Sequence, residues 1–175
     1  MSDLLTSVRA VLTTTPLRWL QMAETIPAAL LQRPAAPGEW SALECLHHLI
    51  NTEQYVFPVR IQAFMSGQDL PDFNPNAHGS TFDSTTAPLD MATLFAQLRT
   101  ANLARLTDIS PADLDRQATH ARYGQVTLRE MLNHWVAHDL SHTVQAEEAL
   151  MQPFMDGCGP WRKNFAAHEV QQIKK

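Results

Sequence analysis

Residues 127–150 read TLREMLNHWVAHDLSHTVQAEEAL, and this stretch decides the fold. It opens on Thr127-Leu128-Arg129-Glu130, a capping box. The Thr127 hydroxyl is placed to accept from the Glu130 amide, and the Glu130 carboxylate to accept from the Thr127 amide. No Gly or Pro follows before Leu150. A helix from about Leu128 to Leu150 is therefore expected, with His134, His138 and His142 along one stripe, because residues four apart are neighbours on a helix face. Two imidazoles so placed can grip one metal ion. The outer two cannot, since eight residues span roughly 12 Å along the axis and metal–nitrogen bonds are only about 2 Å long. The third ligand has to come from another segment.

Working outward, the punctuation places three more helices. Leu4, Leu5, Val8, Val11 and Leu12 recur at helical spacing. Thr15-Pro16 then predicts a kink or a restart, in a helix running to about Glu24. Pro27, Pro34 and Pro37 mark a loop. A second capping box, Ser41-Ala42-Leu43-Glu44, starts the next helix, which runs to about Met65, bends at Pro58 and stops before Gly67. Gln68 to Pro88 is polar and rich in turn formers, so it reads as a long connection that crosses the bundle or covers a site. The third helix spans about Leu89 to Thr107, with Leu94, Leu98, Leu103 and Leu106 as its core candidates. A short turn at Ser110-Pro111-Ala112-Asp113 and a tail after Gly157 complete the chain. No strand-like alternation of useful length is visible. The expectation is an all-α fold, a four-helix bundle with a long link between helices two and three, forming one domain over residues 1–175.

Bulk properties narrow the function. The chain has 175 residues, 45% of them hydrophobic, and no apolar run near the roughly 20 residues of a spanning helix. Net charge is −5 with no basic block, which argues against nucleic acid as a partner. Two cysteines, Cys45 and Cys158, make no disulfide framework, and the N-terminus has no signal-peptide layout. A cytoplasmic protein without membrane association is expected. Eight histidines is a high count. His47 and His48, on the second helix, supply the missing ligand. They point about 100° apart, so one of them faces inward, and periodicity alone does not choose between them. Among the remaining residues, Gln145, three residues after His142, is a candidate to hydrogen-bond a ligand or the substrate. Asp139 is expected at the helix surface or between helices. Trp40 and Trp135 are expected as core anchors, and Cys45 as a small buried hydrophobe.

Two segments carry a resemblance. Gly38-Glu39-Trp40-Ser41-Ala42-Leu43-Glu44-Cys45-Leu46-His47-His48-Leu49, followed by Glu53, resembles the first signature of the DinB superfamily. Tyr123-Gly124-Gln125-Val126-Thr127-Leu128, leading to His138-Asp139-Leu140-Ser141-His142 and Gln145, resembles the second. The Gly159-Pro160-Trp161 tail extends the similarity. The resemblance implies an up-down-down-up bundle that binds a divalent metal, commonly zinc or nickel, through one histidine of helix two and two of helix four. By motif position these are His48, His138 and His142, with His134 left out. It also implies a reaction class. Some relatives are transferases or isomerases using low-molecular-weight thiols such as bacillithiol or mycothiol, others are thought to be hydrolases, and such bundles often form homodimers.

Three imidazoles leave an ion at least one position for water or substrate, the layout of a catalytic rather than a structural site. The expected function is thus a metal-dependent thiol transferase or hydrolase acting on a small molecule, with a thiol as possible cosubstrate. The alternative is a non-catalytic metal-binding protein of a stress response.

Overall fold

The computed structural model describes residues 3–72 and 82–170. Four long helical segments build it. Helix α1 spans Leu4–Thr25, with a single turn, α2, at Ala28–Leu31. The second segment is split into α3, Ala42–Tyr55, and α4, Phe57–Ser66. Helix α5 is Pro88–Arg105 and α6 is Leu128–Gly157. Their order and packing make a four-helix bundle.

Pairwise contacts give the directions. Glu53 meets Arg99 and Asn102, while residues 42–50 of α3 pack with Met91, Ala92 and Phe95, so α3 and α5 run parallel. His48 meets His138, and Glu53 meets Trp135, five residues further along α3 and three back along α6, so these two are antiparallel. Arg9 reaches Leu106 and Leu12 reaches Arg99, which makes α1 antiparallel to α5. The order is up-down-down-up. Two parallel neighbours in succession require a long crossover, and the polar stretch after Gly67 provides it.

Proline has two different outcomes here. At Pro58 the helix breaks, with Val56 between α3 and α4 and Pro58 in the first turn of the new helix, where a missing N–H costs nothing. At Pro16 the helix runs on without a restart. Pro16 cannot donate to the carbonyl of Leu12 one turn back. Arg99 Nη1 takes that carbonyl instead, at 2.8 Å, so the helix loses no buried hydrogen bond. Gly67, with φ of 67°, closes α4 in the left-handed conformation that glycine adopts without strain.

Both capping boxes form. In the first, Ser41 Oγ accepts from the Glu44 amide at 3.3 Å, and Glu44 Oε2 accepts from the Ser41 amide at 2.7 Å. Ser41 is buried, so Ser41→Ala strips the cap where water cannot replace it. The expected loss is about 1 kcal/mol of unfolding free energy, read from urea denaturation. An unchanged midpoint would show that the cap does not fix the start of α3.

One element differs from the sequence reading. Gln117–His120 and Gly124–Thr127 pair as an antiparallel hairpin, with Ala118 opposite Val126. Four residues per strand are too few to show alternation above noise, and the pairing is stabilised by Ala118 and Val126 packing into the core. The hairpin runs directly into the capping box of α6.

The core lies in two apolar clusters. One gathers Leu5, Val8, Phe57, Phe64 and Trp135; the other gathers Trp19, Leu46, Leu49, Phe95 and Ala146. Between them sits a polar layer. Arg99, almost fully buried, donates through Nη2 to Glu53 Oε1 at 3.0 Å and to Asp139 Oδ1 at 2.6 Å. Its Nη1 also reaches Thr15 Oγ1 at 3.0 Å. Asn102 Nδ2 and Trp135 Nε1 complete the Glu53 carboxylate at 2.9 and 2.8 Å. This one network ties all four long helical segments together. Asp139 is therefore an inter-helix partner, and a fully buried one.

The leucine-based reading of α5 needs correction. Leu106 is buried, but Leu94 is 44% exposed, and Leu98 and Leu103 are only partly buried. The buried face is Met91, Ala92, Phe95, Arg99 and Asn102.

Candidate metal centre

His48 comes from α3, seven residues past the Ser41 cap, and His138 and His142 come from successive turns of α6. The antiparallel seam between these helices brings the three rings together. One ring nitrogen from each lies within 4.8 Å of the others. His48 Nε2 and His138 Nε2 are 3.0 Å apart. Nitrogens bound at about 2 Å on a tetrahedral ion sit roughly 3.3 Å apart, so the spacing fits one shared ion. His47 points elsewhere, its ring against Phe82 with centroids 5.7 Å apart. His134 stays outside the trio, its ring centroid 5.7 Å from that of His138.

The chemistry of the donor set also fits. A histidine binds metal as the neutral ring. Burial, followed by the neighbouring His142 and His47, lowers the pKa of His48 to about 4. Burial, followed by His142 and His48, lowers that of His138 to about 3. Burial lowers that of His142, against the hydrogen bond its ring donates to Gln145 and the charge of Asp139. The Gln145 amide oxygen lies 2.9 Å from His142 Nδ1. That oxygen can only accept, so the ring proton sits on Nδ1 and Nε2 is free to ligate, the arrangement that a hydrogen-bonded metal-ligating histidine commonly takes. His138 Nδ1 is buried and has no hydrogen-bond partner among the described residues. Its ring is held instead by packing, edge-on to Phe57 at 5.8 Å. Cys45, fully buried beside this stripe, has its thiol pushed up to about 12 by burial and then by Glu44, so it stays protonated and brings no thiolate.

Trp40 departs from its expected role. It is 37% exposed and lies over the site, with its ring stacked on His142 at 5.7 Å and tilted against His48 at 5.2 Å. Trp135 is the true core anchor, fully buried and stacked on Phe57 at 4.7 Å. The idea that the Gln68–Pro88 link covers the site falls largely on residues 73–81, outside the described residues.

The comparisons bear on this geometry. The model of the DinB superfamily matches residues 12–146, most of the chain and all three histidines. The chain belongs to the DinB superfamily. No curated protein matches the sequence. Among solved structures, this DinB-superfamily chain is similar to YfiT from Bacillus subtilis, described as a probable metal-dependent hydrolase with an unusual four-helix bundle topology. The identity is 21%, the TM-score 0.73, and the match covers 86% of this chain and 87% of YfiT. At that identity the likeness establishes the shared bundle. Among the described residues of this DinB-superfamily member, no helix is long and apolar enough to cross a membrane.

The depressed histidine pKa values set a pH dependence for the metal-free protein. In the unfolded chain these rings titrate near 6.5, and in the fold they stay neutral far below that. The unfolded state therefore binds more protons between about pH 6.5 and 3, so their contribution to stability is complete above pH 6.5 and is lost as pH falls. Urea midpoints measured across this range should decline with acid, and more steeply than those of His48→Ala. Identical slopes would show that the rings are not held neutral by the fold.

Proposed function

We propose that this protein is a hydrolase of a small molecule that depends on a divalent metal held by His48, His138 and His142. The observation that supports this most directly is the convergence of three half-buried, neutral imidazoles from two helices, with no fourth protein donor in the cluster among the described residues. Zinc or nickel suits such a donor set. A divalent ion with an open position supplies an activated water at neutral pH and stabilises developing negative charge. The chain's own residues account for the rest. Gln145 orients His142, Phe57 packs the His138 ring, and Trp40 shields one side of the cluster from water. The description of YfiT, which this chain is similar to, as a probable metal-dependent hydrolase supports hydrolysis over other reactions.

The test begins with metal content of protein purified without a histidine tag, followed by a panel of small esters and amides with and without added thiol. About one zinc or nickel per chain, with thiol-independent turnover that chelation abolishes, is expected. Turnover only with thiol would replace hydrolysis by thiol transfer. A bound metal whose cobalt-substituted form takes up no exogenous anion would make the protein a non-catalytic metal binder.

A further inference from the structure

A second site lies next to the histidine cluster. A cleft of about 150 Å³, open to solvent on one side, lies between α4, the hairpin and the start of α6. Leu70, Val126 and Met131 give it apolar walls, and Arg60, His120 and His134 its polar ones. His134 forms the partition, with the cavity on one side and the His138 ring on the other.

The hydrogen bonding around the cavity is one-sided. The backbone N–H of Arg122 donates to His120 Nδ1 at 3.1 Å. A ring nitrogen that accepts carries no proton, so neutral His120 carries its proton on Nε2. Burial, followed by the charge of Arg60, lowers the pKa of His120 and favours that neutral form. Yet His120 Nε2 faces Arg60 Nη2 at 3.4 Å, and a guanidinium can only donate. Two donors thus meet head to head. Arg60 Nε, also buried, has no acceptor among the described residues. Three N–H groups converge on one region.

The nearby acids do not resolve this. The Glu130 carboxylate also lines the cavity, but its Oε2 is taken by the amide and hydroxyl of Thr127 in the capping box. Asp72 is exposed and acts on Arg60 and His120 through its charge. Arg122 adds a positive charge near His120 and stacks over Tyr123.

We propose that this cavity binds the carboxylate of the substrate, which accepts from Arg60 and His120 while Leu70, Val126 and Met131 receive its apolar body. A planar guanidinium fork matches a planar carboxylate. A phosphate would bring up to two charges into a largely apolar cleft whose lining holds a single arginine. This assignment rests on the hydrolase reading for where the reacting bond lies, and it narrows the substrate to a small acid carrying an ester or amide at its other end.

Benzoate binding, measured by calorimetry and by amide chemical shifts, tests the site without relying on turnover. The full chain should bind benzoate saturably, and benzamide more weakly by about tenfold to a hundredfold, the worth of a charged hydrogen bond. Arg60→Gln should lose a similar factor, and His120→Phe a smaller one. If Arg60→Gln does not fold, His120→Phe and the benzoate–benzamide comparison still decide. Metal-stripped protein should bind benzoate as well as zinc-loaded protein does. Binding seen only with zinc would place the carboxylate on the metal and overturn the cavity site, leaving the metal reading intact. Benzoate binding by a protein that takes up no metal would do the reverse. Equal affinity for benzamide, or tighter binding of inorganic phosphate, would overturn the carboxylate assignment.

Discussion

His138→Ala should abolish stoichiometric binding of zinc or nickel, whereas His134→Ala should leave it within a few-fold of the unmodified protein. His138 has ring neighbours on both sides of the seam, with centroids 5.1 Å from His48 and 4.6 Å from His142. Its loss leaves two imidazoles. A four-ligand zinc site is worth about 10–16 kcal/mol, so each ligand accounts for roughly 3 kcal/mol, a factor of a hundred or more. His134 lies one turn away on the same stripe, and its side chain faces the neighbouring cavity. Gln145→Leu should fall between them. It removes only the acceptor for His142 Nδ1, and losing the partner that orients a ligand histidine typically costs about 10- to 100-fold in affinity. Calorimetric titration of zinc into chelator-stripped protein gives the ranking directly. If His134→Ala proved more damaging than His138→Ala, the ligand pair on α6 would be the wrong one.

The parts of this molecule written in local spacing were legible in the sequence. Two capping boxes phase α3 and α6, and the i, i+4 histidines follow from that phase. The choice between His47 and His48 was different in kind. Neighbouring positions on one helix differ by a rotation that only the packing of α3 against α6 decides, and spacing alone left it open. In α5, leucine identity misleads, because Leu94 lies off the buried face and Leu98 only at its edge. The 91–95–99–102 spacing was visible, but it placed an arginine and an asparagine in the core, which hydrophobicity discounts. Pro16 predicts a kink or a restart. The helix survives because a side chain 83 residues further along takes the freed carbonyl, and no local signal carries that. Trp40 read as a core anchor because large aromatics usually are; its position over two imidazoles depends on the seam. Arg60 was a residue inside a bent helix until the hairpin, too short to detect, brought His120 against it.

Arg99→Met should destabilise the protein by about 3–5 kcal/mol, a large fraction of the 5–15 kcal/mol that holds a typical domain folded. The substitution keeps most of the volume but removes the one buried cation, among the described residues, in a layer holding Glu53 and Asp139, each about 1% exposed or less. Burial alone would disfavour the guanidinium charge, but Glu53 and then Asp139 outweigh it and raise the Arg99 pKa. Without Arg99 two carboxylates face each other in the core, and the carbonyl of Leu12, already deprived of its helical partner by Pro16, loses its donor as well. Water cannot reach any of these groups. The ion pair itself need not be worth much relative to apolar packing, because desolvation offsets most of its attraction. The expected outcome is therefore asymmetric. The single variant should show a sharply lower urea midpoint, and the triple Glu53→Leu, Arg99→Met, Asp139→Leu should recover part of the loss, with Trp135 Nε1 and the Leu12 carbonyl still without partners. Both variants should then be titrated with zinc. Glu53 lies five residues after His48 and Asp139 directly follows His138, so the network fixes the stagger of the two helices that carry the histidines. If that stagger matters, the triple variant should fold yet bind zinc more weakly. A triple variant with restored stability and unchanged zinc affinity would show that apolar packing sets the seam by itself.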